Sequence, residues 1–338
     1  MAFTVTYKRH ACKFHFVNNM SNWHFACLPH YNDAWIQETG PITPEESDAL
    51  AAFAGIAREY GYGPNWLGRP FVAAPTEEQA LRDTEQMLGA VRVTEQPTGA
   101  APALRNTERL SGSTHARRLR DIFATMEPRF ARIWVRDEPR LISLAERLDG
   151  RLRSGGMERA AAVAERLYGA KLPDLEILLI LSRGRRSVAG GANEGPGRIT
   201  IAALEVDDIQ PVAEVVLHES IHLLEADGFR DMYHSISMAH GLEDIRGDKF
   251  WDADHLVREA ILGALVPGGA LAPLMGGTVR DFASEAAQQR AAGRIGNADL
   301  LSVTGLYVPL LQEYIDAGKP IDADLVKRAI ALFKEILG

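Results

Sequence analysis

Apolar residues change their spacing along the chain, and the change separates strand-like from helix-like stretches. Apolar and polar positions alternate over Phe3–Tyr7 and over residues 13–17, which predicts two strands. A polar turn follows, and a third strand is predicted at about residues 23–27. We therefore expect residues 1–36 to form a small N-terminal β element.

After residue 37 the spacing becomes helical. Thr43, Pro44 and Glu46 combine a capping box with proline at the first helical position, which predicts a helix start. We assign residues 37–170 to a helical region, and its residue types indicate no chemistry. The helices predicted within it are at about residues 44–60, 76–90, 115–127, 138–152 and 157–168.

The helical spacing is interrupted between residues 175 and 204, where LEILLIL, RRSVAGGAN and RITIAAL succeed one another. We interpret them as a three-strand meander, with the first strand central because it is apolar almost throughout. The Gly-rich middle strand is typical of a sheet edge. A long helix is predicted next, and a mostly helical α+β fold follows. Its helices are predicted at about residues 209–226, 252–265, 278–292, 299–316 and 323–336.

Charge and composition limit the function classes. The 338-residue chain has a net charge of -8, so it lacks the basic surface that binds a phosphate backbone, and we expect no nucleic-acid partner. No signal-peptide pattern is present, and the apolar stretch 260–275 is interrupted by Pro267 and Gly268, so we expect no membrane span. Two cysteines, Cys12 and Cys27, are too few for a disulfide framework. These features favour a cytoplasmic protein.

One motif in the long helix indicates chemistry. His218 and His222 are four residues apart and therefore share a helix face, so that both imidazoles can reach one metal ion. Glu219 lies about a hundred degrees around the helix, outside the ligand positions but close enough to accept a proton from water at the metal. Two surface histidines could share this spacing by chance. The apolar residues around the motif argue against that, since a buried polar stripe needs a partner.

Residues 175–265, with LHESIHLL at their centre, resemble the zincin metallopeptidases. In zincins a sheet with a substrate-binding edge strand precedes the helix that carries His-Glu-x-x-His. The resemblance implies a zincin-like catalytic core, here residues 171–270, followed by a C-terminal helical region at 271–338. It also implies Zn²⁺ as the cofactor and a peptide or protein substrate bound along the edge strand 186–193.

The third zinc ligand distinguishes the branches of the zincins. Metzincins have Gly and His where this chain has Glu225 and Gly228, so that branch is excluded. Resemblance to the gluzincin branch implies a glutamate from a later helix, and we prefer Glu259 to Glu243. Asp227, as in aspzincins, is the third choice.

One departure from the gluzincin pattern concerns the support of the first histidine. Gluzincins have an aspartate four residues after the ligand glutamate, and this chain has Gly263 there. Asp252 and Asp254 are the nearby carboxylates that could replace it. His255 lies one turn before Glu259, so we expect it to face the same site as a proton donor.

The predicted reaction is zinc-dependent peptide-bond hydrolysis, with Glu219 as general base and His218, His222 and Glu259 as ligands. Two alternatives stay open at this point. One is a zinc hydrolase that acts on an amide other than a peptide. The other is a non-catalytic, zinc-stabilised peptide-binding protein, against which Glu219 argues, because a structural zinc site has no use for a base.

Overall fold

The computed structural model describes residues 2–24, 26–60, 67–90, 112–183, 188–191, 197–225, 227–242 and 253–337. Its four strands form one sheet in the order β1-β2-β4-β3. Strands β1 and β2 are parallel, as are β2 and β4, whereas β3 and β4 are antiparallel. The strands are β1 (Phe3–Tyr7), β2 (Leu175–Ile180), β3 (Ala189–Gly191) and β4 (Arg198–Ala202).

Helices make up most of the described chain, which confirms the mostly helical α+β class. None of the helices in the described ranges is both long and apolar enough to cross a membrane. The α-helices are α1 (Arg9–Met20), α2 (Pro29–Thr39), α3 (Pro44–Tyr60), α4 (Gly68–Ala73), α5 (Glu77–Ala90), α6 (Gly112–Leu152), α7 (Gly155–Tyr168), α8 (Gln210–His222), α9 (Asp227–Ala239), α10 (Ala253–Gly263), α11 (Phe282–Ala291), α12 (Ile295–Asp316) and α13 (Ala323–Leu337).

The sheet confirms two sequence predictions and corrects a third. Strand β2 is central and the Gly-rich β3 is at the edge, as predicted. The three strands are not a meander, because β2 pairs with β4 and not with β3. Strand β1 pairs with the far side of β2, so the N-terminal strand belongs to this sheet. Pairing between distant segments leaves no local pattern from which it could be predicted.

The N-terminal region contains one of the three predicted strands. Residues 13–17 lie in α1, and the described residues of 23–27 are not in a strand. Helix α1 is buried on nearly every side, from His10 to Met20. A helix that is buried all round lacks the 3.6-residue apolar stripe, and a short window of it then resembles strand alternation.

The helical predictions differ in accuracy for physical reasons. Helix α3 spans the predicted residues, and its capping box forms: the Thr43 amide donates to Glu46 at 2.9 Å and the Glu46 amide donates to Thr43 Oγ1 at 3.2 Å. Two predicted helices are the single α6, which continues through Pro128 and Pro139. The predicted helix 209–226 ends at His222, the last residue of α8.

Candidate metal centre

Three side chains from two helices converge on one point beside the sheet. His218 and His222 occupy successive turns of α8, with ring centroids 5.0 Å apart. Glu259 reaches them from α10, with its Oε2 3.6 Å from His218 Nε2 and its Oε1 3.5 Å from His222 Nε2. One ligand atom of each residue lies within 4.8 Å of the other two. The structure thus brings together the three predicted ligands.

The packing of α10 explains why Glu259 reaches the histidines. Leu256, Val257, Ala260 and Ile261 are buried, and these positions form the apolar face that fixes the helix against its neighbours. Glu259 lies beside that face, with its side chain only 14% exposed. A carboxylate held this far from water is costly unless it is paired, and the two imidazoles are its partners.

These three residues fit a zinc ion. Two imidazole nitrogens and one carboxylate oxygen are a common ligand set of catalytic zinc, which leaves a position open for water. The ligand atoms are far enough apart, at 3.5 Å and 3.6 Å, for an ion about 2.0 to 2.2 Å from each of them to lie between them.

His218 is oriented by a backbone carbonyl. Its Nδ1–H donates to the Val266 oxygen at 2.9 Å, which leaves Nε2 to face Glu259. Metal-binding histidines commonly donate their second ring nitrogen in this way, because the hydrogen bond fixes both tautomer and ring orientation. The predicted support from Asp254 is wrong: its carboxylate accepts from Ser237, and its backbone carbonyl accepts from the Tyr233 hydroxyl at 2.7 Å.

His222 faces a carboxylate that sequence reasoning missed. Glu225 Oε2 lies 3.9 Å from His222 Nδ1 and 3.9 Å from Arg258 Nε, and the Glu225 residue is 4% exposed. Its other oxygen is buried without a hydrogen-bond partner among the described residues. In the sequence Glu225 served only to exclude metzincins. The available signal was an acid three residues after the second histidine and next to apolar Leu223 and Leu224.

Mutual electrostatics hold His218 and Glu259 in opposite charge states when no metal is bound. Burial alone would lower the pKa of His218, but Glu259 and Glu219 outweigh it and raise that pKa to about 9. Burial alone would raise the pKa of Glu259, but His218 and His222 lower it to about 2. A cation is therefore favoured at this point, and a metal ion can replace the proton on His218.

Glu219 lies on the sheet side of the ligands, next to the edge strand. It is 9% exposed, and burial raises its pKa above the ordinary value although His218 and His222 act in the opposite direction. Gly190 of β3 leaves room for the Glu219 side chain, since a Cβ on residue 190 would lie 2.7 Å from Glu219 Cδ. Only a glycine allows this close approach of backbone and carboxylate.

The remaining predicted residues differ in what the structure describes of them. The side chain of His255 is 40% exposed, with Nε2 3.8 Å from Glu259 Oε1, and its Nδ1 accepts from Arg258 Nη2 at 3.3 Å. It therefore faces the site from its rim. Glu243, Asp252 and the side chain of Asp227 lie outside the described residues, as do the two ends of the predicted strand 186–193.

Comparison of the chain with protein-family models, with curated proteins and with solved structures gave no match. The resemblance to zincins therefore rests on the motif, the order of sheet and helix, and the geometry described above.

Proposed function

We propose that the protein is a zinc-dependent peptidase with its active centre at His218, His222 and Glu259. The observation that carries the proposal is the position of Glu219, a buried carboxylate between the three candidate ligands and the edge strand β3. A zinc site that only stabilises the fold has no need for an acid in this place.

The zinc ion would supply a Lewis acid that polarises the substrate carbonyl and makes a water acidic near neutral pH. Glu219 accepts the proton of that water and later donates it to the departing amine. Burial helps the first step, because a carboxylate with a raised pKa is a stronger base than an exposed one. His255, at the rim, can donate a hydrogen bond to the carbonyl oxygen of the substrate.

The edge strand supplies the binding site for an extended chain. Strand β3 is at the end of the described sheet, and Gly190 is exposed. A peptide that pairs with the outer side of β3 would bind through backbone hydrogen bonds. It would pass beside Glu219, because Gly190 and Glu219 are in contact. This geometry favours a peptide over a compact amide, which has no strand to add.

Zinc content and peptide cleavage, measured together, test the proposal. The purified protein is expected to bind about one zinc per chain and to cleave an unfolded protein such as reduced casein. Glu219→Gln should keep the zinc and lose cleavage by about a hundredfold or more, since the amide cannot accept a proton. Glu158→Gln, the same change at an exposed position of α7, is the control and should cleave normally.

Three results would contradict the proposal. Full cleavage by Glu219→Gln would exclude Glu219 as the general base. Wild-type protein that binds zinc and peptide without cleaving would favour the non-catalytic alternative. Hydrolysis of small amides without any cleavage of unfolded protein would favour the other hydrolase.

A further inference from the structure

A cavity lies on the opposite face of the edge strand from the metal centre. It has a volume of about 150 Å³ and is lined by residues of α1, α2 and the segment between them, by β3 and β4, and by the end of β2. The candidate zinc ligands and Glu219 do not line it. None of the reactions described above uses this space.

The pleat of β3 and β4 separates the two sites. Gly190 pairs with Ile201, and the Cβ position of Gly190 is on the side of Glu219. Neighbouring residues of a strand point to opposite faces, so Ala189 and Gly191 point away from Glu219. Their partners on β4 are Ala202 and Thr200, respectively, which point to the same face. Thr200 and Ala202 line the cavity, which confirms that it opens on that face.

Pairing of a peptide with β3 would bring its side chains alternately to the two faces. One residue would face Glu219, and its immediate neighbour would face the cavity side. The cavity is therefore in the position of a side-chain pocket for the same peptide.

Size and walls indicate what the pocket accepts. A cavity of about 150 Å³ in another protein admits a benzene ring. Four rings line this one, and Tyr31 and Trp35 already pack with centroids 5.7 Å apart, in the edge-to-face geometry that aromatic groups prefer. The four ring-bearing residues are His15, His24, Tyr31 and Trp35.

The pocket is neutral. No Asp, Glu, Lys or Arg is among the described residues that line it. Burial lowers the pKa values of His15 and His24 to about 4, so both imidazoles are uncharged at neutral pH. A charged side chain would lose its hydration here without gaining a counter-ion.

We propose that this cavity binds an aromatic side chain of a peptide paired with β3, and so makes the enzyme selective for substrates with an aromatic residue at one fixed position. The proposal rests on the peptidase function for its substrate but not for the binding of the ring itself.

Binding of small amides tests the pocket without catalysis. Zinc-loaded Glu219→Gln protein is titrated with N-acetyl-tyrosinamide, N-acetyl-phenylalaninamide and N-acetyl-alaninamide, followed by NMR. The aromatic amides are expected to bind at least about tenfold more tightly than the alanine amide. Equal affinity of all three amides would overturn the proposal.

Two variants fill the pocket from different sides. Ala26→Leu enlarges an exposed residue at the wall, and Ala189→Leu enlarges a partly buried one on β3. Each should lose aromatic binding by about tenfold or more and keep its zinc. Ala145→Leu, at a partly buried alanine of α6 away from the pocket, is the control. Because Ala26 is exposed, its variant folds even where Ala189→Leu does not. Unchanged aromatic binding in folded Ala26→Leu would locate the ring elsewhere.

Mapping of the bonds that wild type cleaves in reduced casein gives the second readout. An aromatic residue should recur at one position relative to the cleaved bond, and Ala26→Leu should lose that preference. Cleavage without an aromatic preference would overturn the pocket and leave the peptidase function intact. Aromatic binding that Ala26→Leu removes, without any cleavage by wild type, would overturn the peptidase function and leave the pocket.

Discussion

The histidines on the two sides of strand β3 differ in pKa, and therefore in charge at neutral pH. On one face, His218 has a pKa of about 9 because Glu259 and Glu219 outweigh its burial. On the other face, burial lowers the pKa values of His15 and His24 to about 4, and no acidic residue lines their cavity to oppose it. A single strand separates the two groups of histidines, yet the pKa of His218 is about five units higher than the pKa values of His15 and His24.

This difference shows that the neighbouring charges, and not the histidines themselves, decide what each face can bind. Buried imidazoles near carboxylates attract a cation, whereas buried imidazoles without carboxylates form the wall of a neutral pocket. Four changes would break or sharpen this comparison.

The largest expected difference is in zinc content, between a variant without His218 and His222 and a variant without His15 and His24. His218→Ala with His222→Ala should abolish zinc binding, because two of the three protein ligands are lost. His15→Ala with His24→Ala removes the same atoms from the other face and should leave about one zinc per chain. Metal analysis of both purified double variants checks this. Equal zinc content in the two proteins would end the metal assignment.

Loss of Glu259 should weaken zinc binding without abolishing it. Glu259→Ala leaves the two histidines as ligands and is expected to lower zinc affinity by about a hundredfold or more, since even outer partners of zinc ligands contribute tenfold to a hundredfold. His255→Ala should leave zinc affinity nearly unchanged and lower turnover. Competition with a chelator measures the affinities. If Glu243→Ala removed the metal and Glu259→Ala did not, Glu259 would not be the ligand.

A methyl group on either glycine of β3 compares the two faces directly. The Cβ of Gly190→Ala would lie 2.7 Å from Glu219 Cδ, so the carboxylate must move, and turnover should fall by about a hundredfold, the usual loss of a general base. The Cβ of Gly191→Ala, on the cavity face, would contact Thr200 Oγ1 at 3.3 Å and not Glu219, so its loss should appear in KM, with turnover (kcat) largely kept. Both variants should retain zinc. Similar turnover of the two variants would argue against Glu219 as the base.

The smallest expected effect is on stability in acid, which should fall because the cavity histidines are held uncharged in the folded chain. His15 and His24 titrate at about 4 in the folded chain and near the ordinary value of 6.5 when unfolded. Between these values the unfolded chain binds more protons, so the free energy of unfolding falls as pH is lowered from 6.5 toward 4. Urea midpoints at pH 7 and pH 5 should differ less in His15→Gln with His24→Gln than in wild type. An identical pH dependence would show that neither imidazole is held neutral.

Local pattern was enough for the features that depend on neighbours in sequence. The capping box of α3, the apolar centre of β2 and the shared helix face of His218 and His222 each follow from residues within a few positions of one another. The convergence of Glu259 with the histidines was also predicted, from resemblance to a family and not from spacing. In the structure, Glu259 lies 3.6 Å from His218 and 3.5 Å from His222.

Tertiary structure alone decided the features that depend on distant segments. Three such features leave no periodic signal in the sequence. They are the pairing of β1 with β2, whose partners are 172 positions apart, the contact between Gly190 and Glu219, and the position of Glu225 behind His222. Residues 13–17 of helix α1 resemble a strand in sequence because burial on nearly every side leaves this helix without a separate polar face. The sequence thus places the two candidate ligand histidines on one helix face, but which surfaces meet that face depends on how the whole chain packs.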